Sequence, residues 1–232
     1  MDEYQHDRKE LAFFGRVMAS ISHEFNNVIS IVAQVGGLME DLAAMQAQGR
    51  EIPPEKWKLQ TERIVAQAER GKAIVKNMNR FAHSIDEPVK TFDVGEVVAN
   101  IAQIAHRLVT NRNSSLVLAA CEPSRPITND PFLLRYVILN SLDVLLACTP
   151  PPEEIRIACE QDEAATRIRL TGSGFPQNWE HHPALLDARR TADGMRARLD
   201  ARIGSENAGC EIVLELAHAM NAGPGKETSH VE

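Results

Sequence analysis

The sequence predicts an antiparallel helical hairpin followed by an α+β sandwich, one sheet with helices on one face. Three observations predict it. Apolar residues recur in unbroken steps of three and four through the first third of the chain. After Pro88 the pattern changes to short alternating runs mixed with helical ones. Those strands and helices do not follow a regular βαβ order, which points to α+β. Composition agrees: 44% of the 232 residues are apolar and 25% charged, enough to build a core and too apolar for a disordered chain. Aromatics make up only 5%, so the core is built mainly from Leu, Ile, Val, Ala and Met.

The first helix is read from Leu11, Phe14, Met18, Ile21, Phe25, Val28, Val32, Val35, Met39 and Leu42. This is a heptad seam sustained for more than four heptads, with Gly49 and Pro53-Pro54 as its stop. A second seam follows at Trp57, Thr61, Ile64, Ala68, Gly71, Val75, Met78, Ala82 and Ile85, closed by Pro88. Further apolar positions widen the stripe: Phe13, Val17, Ile31 and Leu38, then Val65, Ile74 and Phe81. One hairpin cannot bury so wide a stripe alone. Two hairpins packed as a four-helix bundle can, so a homodimer is expected.

Beyond the hairpin, residues 92–94 read as extended and 97–109 as a helix. Residues 115–121 read as a strand, and 130–148 as a strongly apolar helix ended by Pro150-Pro151-Pro152. Two antiparallel strands are expected at 155–160 and 166–170, with a turn at Asp162-Glu163. Residues 179–202 read as partly helical, broken near Gly194, and 210–216 as a last strand. The expected domains are 1–88, 89–220 and a flexible tail, 221–232.

Several classes are set aside. A net charge of −7 argues against nucleic acid as the main partner. No run approaches 18 apolar residues without a polar one, and acidic residues precede any apolar run, so neither a spanning helix nor a secretory signal is expected. Cys121, Cys148, Cys159 and Cys210 form no C-x-x-C pair and read as reduced, packed thiols of a cytoplasmic protein. The His181-His182 pair reads as a surface pair and no metal site is expected.

The informative segment is Ser20–Asn27, S-I-S-H-E-F-N-N, in the middle of the first helix. With Ile21 at d and Phe25 at a, His23 falls at f, on the wet side. Glu24 lies beside it and Asn27 one turn on. A zinc-binding H-E-x-x-H would need histidine at 27, where the chain has Asn27. No G-x-S-x-G is present for a serine triad. Nucleophilic histidine chemistry remains. An exposed imidazole accepts a phosphoryl group, a neighbouring carboxylate takes its proton, and an amide positions a water or a phosphate oxygen.

S-H-E-F-N-N within a heptad helix, followed by a second helix, resembles the dimerisation and histidine-phosphotransfer module of two-component sensor histidine kinases. The later layout, with F-D-V-G-E-V-V at 92–98 and N-D-P-F-L-L-R-Y-V-I-L-N-S-L at 129–142, is similar to their ATP-binding domain. The resemblance implies an α/β sandwich of the histidine-kinase ATPase type. It implies His23 as phosphoacceptor, Glu24 as acid/base partner and Asn27 as the residue assisting dephosphorylation of a response regulator.

The second domain departs from that family. Asn140 matches the first of two helix asparagines, but Val144 stands where the second would hold Mg²⁺. In D-x-G-x-G the Asp that receives the adenine amino group is replaced by Leu170, with Gly172 and Gly174 retained. The Gly-rich phosphate cradle is not visible. Asn140, Gly172 and Gly174 are therefore a degenerate nucleotide site, and weak or absent ATP binding is expected. Three readings follow: a histidine phosphotransferase exchanging phosphoryl groups with receiver domains of response regulators, an ATP- and Mg-dependent autokinase with a divergent site, and a receiver phosphatase or docking scaffold.

Overall fold

A computed structural model describes residues 2–119, 125–148, 154–203 and 209–218, with side chains from residue 8 onward. It divides into two compact units, Met1–Asp86 with Asn100–Asn111, and Glu87–Ala99 with Arg112–Glu232. Cys121, Pro150-Pro151-Pro152 and the predicted tail lie outside the described residues.

The first unit is an antiparallel hairpin of α1 (Asp2–Ala47) and α2 (Pro54–Ala82), joined by the second half of α3 (Val94–Thr110). Gly49 at φ +83° turns the chain out of α1, a left-handed conformation that a side chain disfavours. Pro54 opens α2, where a missing N–H costs nothing. The start of α1 meets the end of α2. The Phe13 and Phe14 rings pack on Phe81, with centroids 5.7 and 5.4 Å away. Midway, α2 approaches closely at Gly71: a Cβ there would lie 3.5 Å from Val28 Cγ1 and 3.7 Å from Phe25 Cε2.

Two details of the seams differ from the sequence reading. On α1 the buried line is Phe13, Val17, Ile21, Val28, Val35 and Leu42, while Leu11 is 70% exposed. From Ile21 onward the predicted d positions are thus inside and the a positions flank them, while before it Phe13 and Val17 are inside and Phe14, at d, is half-buried. On α2 the line runs through Gln60, Gly71, Ile74 and Phe81, with Ile64, Gln67 and Met78 half-buried. It shares Ile64, Gly71 and Met78 with the predicted seam, and takes Gln60, Gln67, Ile74 and Phe81 in place of Thr61, Ala68, Val75 and Ala82, one residue earlier each time. Two glutamines occupy it, and hydropathy passes over them.

Helix α1 also corrects the exclusion of a spanning helix. A window of 18 residues within Arg8–Ala47 has mean hydropathy 1.5, long and apolar enough to cross a membrane by length and composition. Isolated polar residues interrupt the apolar run without lowering its mean much.

The second unit holds a two-stranded ribbon, β1 (Lys90–Phe92) with β3 (Ile127–Asn129), and a five-stranded sheet. The sheet uses β2 (Ser115–Leu118), β4 (Glu154–Gln161), β5 (Ala165–Gly172), β6 (Ala197–Ile203) and β7 (Cys210–Ala217). Their order is β2-β4-β5-β7-β6, with β2 and β4 parallel and the other pairs antiparallel. Helices α4 (Pro131–Leu146) and α5 (Pro183–Gly194) complete it. Ala197–Ile203, read from sequence as part of a helical stretch, is a strand paired to β7. Arg196, at φ 57°, turns the chain from α5 into it.

Alternation along the strands builds one dry face. Ile155 and Ile157, Ile168 and Leu170, Leu199, and Ile212, Leu214 and Leu216 are buried. Helix α4 is apolar nearly all round and buried nearly all round, as a core helix must be. Asp130 caps it, accepting from the Phe132 and Leu133 N–H groups at 2.8 and 3.0 Å. Burial raises the Asp130 pKa, and those two bonds oppose the rise.

The other sheet face is charged. Arg167 bonds Glu215 and Asp162 at 2.6 Å each, Arg169 bonds Glu160 at 3.2 Å and also Glu211, and Arg202 shares Glu211. Arg167 and two backbone N–H groups hold the Asp162 carboxyl down to about 2. Burial works against ionisation of Glu211, yet Arg169 and Arg202 lower its pKa overall.

The histidine face of the hairpin and the glycine-rich strand end

The S-I-S-H-E-F-N-N segment is continuous helix in the middle of α1. Its side chains are sorted by the seam. Ser20 and Ile21 are buried, His23 and Asn27 are exposed, and Glu24 is half-buried between them. Packing of Ile21 and Val28 fixes the rotation of the helix, and that rotation presents the imidazole to water. A side chain held only at its base on a rigid helix is available to a macromolecular partner.

Glu24 lines a cleft of about 200 Å³ within the first unit. Its polar lining is Glu24, Arg70, Asn77 and Gln103, and Ile21, Ala73, Ile74 and Ile104 supply the apolar part. Asn77 organises one wall. Its Nδ2 donates to Gln103 Oε1 at 2.5 Å, and its carbonyl accepts from Asn100 Nδ2 at 3.3 Å. Glu24, one residue on from His23, thus shares its cleft with two amides and Arg70. The sequence pointed to Glu24 but not to Asn77 or Gln103. The signal was the α2 seam itself: once Gly71 and Ile74 are placed inside, Asn77 falls beside them.

The predicted nucleotide residues lie in the second unit. Asn140 is on α4, 8% exposed, and its Nδ2 donates to the Tyr136 carbonyl of its own helix at 3.0 Å. Val144, one turn on, is fully buried, and so is Leu170 near the end of β5. Gly172 ends that strand, with Leu145 and Cys210 packed against it, and Gly174 follows beside Cys148. Gly172 and Gly174 thus meet the C-terminal end of α4, at Leu145 and Cys148, and Gly172 also meets the start of β7 at Cys210.

That junction does not fit ATP and Mg²⁺. A hard cation needs oxygen ligands, and Val144 offers none. The adenine amino group needs an acceptor, and Leu170 offers none. Asn140 gives its Nδ2 to its own helix, which leaves a single amide oxygen, short of the set of oxygens that a hard cation takes. After Gly174 the chain passes through Phe175 and Trp179, whose rings stack at 4.4 Å, into a single 3-10 turn at Trp179–His181. His182 then caps α5, its Nδ1 accepting from the Ala184 N–H at 3.3 Å. Among the described residues no cluster of three or more His, Cys, Asp or Glu could hold a metal ion.

No family profile and no curated protein matches the sequence. Among solved structures the chain is similar to the ATP-binding domain of PrrB from Mycobacterium tuberculosis, at 16% identity and TM-score 0.49, covering 58% of this chain and 100% of that one. It is similar to the histidine kinase AdeS of Acinetobacter baumannii, at 12% identity and TM-score 0.47, covering 85% of this chain and 98% of that one. Full-length ShkA in complex with AMPPNP aligns at 12% identity and TM-score 0.47, over 88% of this chain and 46% of that one. Identities this low carry no function across.

Proposed function

We propose that this chain is a two-component signalling protein of the histidine-kinase type. It carries a phosphoryl group on His23 and exchanges it with receiver-domain aspartates of response regulators. The observation that carries this reading is the sorting of α1: a buried Ile21–Val28 seam that leaves His23 and Asn27 exposed, with Glu24 half-buried beside them. The apolar, sealed positions Val144 and Leu170 support a source of phosphate other than ATP.

In this reading the His23 ring nitrogen attacks the phosphorus of an aspartyl phosphate and the aspartate carboxylate leaves. Glu24 accepts or orients the proton on the other ring nitrogen. Asn27 hydrogen-bonds a phosphoryl oxygen. In the reverse transfer the receiver aspartate attacks phosphohistidine. Positioning supplies most of the rate in such a transfer.

The hairpin works as a homodimer, two copies forming a four-helix bundle on the cytoplasmic side. Support comes from apolar residues left outside the single hairpin: Ile29 is 53% exposed on α1 and Val65 55% on α2. The same packing need reads α1 as a bundle helix, since its d positions are already buried.

Two incubations test the proposal: purified protein with labelled ATP and Mg²⁺, and purified protein with a labelled phosphorylated receiver domain. Label reaching His23 from the receiver alone is the expected outcome. Label from ATP favours the autokinase, the second reading, for which the retained Glu24 speaks. Loss of receiver phosphate with no label on the protein favours a phosphatase.

A further inference from the structure

Two cysteines at the α4–β5–β7 junction have no part in phosphoryl transfer, yet they lie against two neighbouring glycines there, Cys210 on Gly172 and Cys148 on Gly174. Gly172 is paired with Cys210 in the β5–β7 register, and the Cys210 thiol donates to the Gly172 carbonyl at 3.6 Å. A Cβ on Gly172 would lie 3.7 Å from the Cys210 sulphur and 3.6 Å from Leu145 Cδ2. A Cβ on Gly174 would lie 3.9 Å from the Cys148 sulphur. Cys148 is three residues beyond Leu145, and its N–H bonds the Leu145 carbonyl at 3.3 Å. So Leu145 brings the end of α4 onto Gly172, where Cys210 already sits, and Cys148 comes down on Gly174. Two side-chain-free residues separate the thiols.

The pair is asymmetric. Cys148 is half-buried, whereas Cys210 is 1% exposed. Burial pushes the Cys210 thiol up to about 11, and a negative charge on Cys148 adds to the rise. The Gly174 N–H works in the other direction, favouring the thiolate, so Cys210 senses both Cys148 and Gly174. A buried, protonated thiol is a poor first target for an oxidant, while a half-exposed one beside it is a better one.

We infer that Cys148 and Cys210 form a peroxide-sensitive dithiol that closes reversibly to a disulfide across Gly172 and Gly174. The Cys148 sulphur attacks one oxygen of hydrogen peroxide, the O–O bond breaks, and water leaves after proton transfer, giving a sulfenic acid on Cys148. The Cys210 sulphur then attacks the Cys148 sulphur. The S–S bond forms, the S–O bond breaks, and the hydroxide leaves as water with the Cys210 proton. Two thiols are oxidised and one peroxide is reduced to two waters. A small dithiol reductant reverses the step by thiol–disulfide exchange. The bond joins the end of α4 to the first residue of β7. Such transient disulfides are the kind that occur in reducing compartments.

The test is peptide mapping of the intact chain after graded hydrogen peroxide, with and without dithiothreitol. The expected result is an intramolecular Cys148–Cys210 cross-linked peptide, a protein lighter by two hydrogens, and full reversal by reductant. Cys159→Ser protein behaves the same way, and Cys148→Ser protein forms no such bond. Cys210→Ala protein instead accumulates two or three oxygens on Cys148. A cross-link through Cys159 or between two molecules, or oxygen addition at Cys148 of the unmodified chain with no cross-link, overturns the inference. The map of the unmodified chain decides the matter even if a variant fails to fold.

Discussion

The hairpin and the sheet unit treat their chemically informative positions in opposite ways. On α1 the seam takes the apolar residues and leaves His23 and Asn27 in water. At the α4–β5 junction Val144 and Leu170, which stand where the sequence resemblance expects polar ligands, are part of the core. The difference teaches that a fold and its site are held by separate sets of residues. A large aliphatic side chain sealed in the core stabilises by about 1.5–3 kcal/mol. Replacing a buried polar ligand by such a residue therefore removes chemistry while strengthening packing. An exposed imidazole such as His23 carries no comparable packing.

The strongest way to break this contrast is to place the same charge in both regions. Leu170→Asp puts a carboxylate into the core and is expected to destabilise the protein by roughly 3–5 kcal/mol, read by denaturant unfolding. It restores no heat of nucleotide binding in calorimetry, because Val144 still offers no ligand. His23→Asp, on the wet face, is expected to shift stability by no more than about 0.5 kcal/mol. Equal costs at the two positions would end the comparison.

Next in size is the carboxylate beside the imidazole. Glu24→Gln keeps shape and hydrogen bonding but removes the base. It is expected to slow phosphoryl transfer by roughly 10²-fold, measured by rapid quench, with unfolding unchanged. An unchanged rate would make Glu24 only a wall of its cleft.

Gly71→Ala sharpens the account of the hairpin. The added Cβ makes ordinary contacts at 3.5 Å with Val28 and 3.7 Å with Phe25, and alanine suits a helix better. A gain of about 0.5–1 kcal/mol is expected. A loss would mean that the helices need a closer approach than this geometry gives.

The smallest effect concerns acid. Asp162 has its carboxyl lowered from 3.8 to about 2 by Arg167 and backbone bonds. A lowered carboxylate contributes stability above its unfolded value, and the contribution is lost as pH falls through the folded one. The sheet unit should therefore weaken between about pH 4 and about pH 2, more in wild type than in Asp162→Asn protein. The exposed pair makes this a modest, salt-sensitive difference. Thermal melts across that range read it.

Much of the fold was legible because burial follows simple periods. Most d positions of α1 and the alternation in β4, β5 and β7 follow from spacing, and α4 from the length of its apolar run. The α2 seam was read correctly at Ile64, Gly71 and Met78 and one residue late between them, because Gln60 and Gln67 lie inside it and polarity hides them. Gln67 Oε1 is buried without a hydrogen-bond partner among the described residues. Strand β6 was misread because A-R-L-D-A-R-I is rich in helix formers, and pairing with β7 overrides that preference. Strand β3, three residues long, has too few positions to show a period. The position of His23 at f could be read from the seam, since it needs only the rotation of one helix. The amide wall of Asn77, Asn100 and Gln103 could not, since it joins residues from two helices whose meeting the sequence does not announce.

In the proposed function phosphate reaches His23 from a receiver domain and not from ATP. The direct measurement is site mapping by mass spectrometry after incubation, without nucleotide, with receiver domains charged by a small phosphodonor. The account predicts an acid-labile phosphoryl group on His23, absent from His23→Ala protein. A phosphoryl group on another residue, or one that forms only when ATP and Mg²⁺ are supplied, would contradict it.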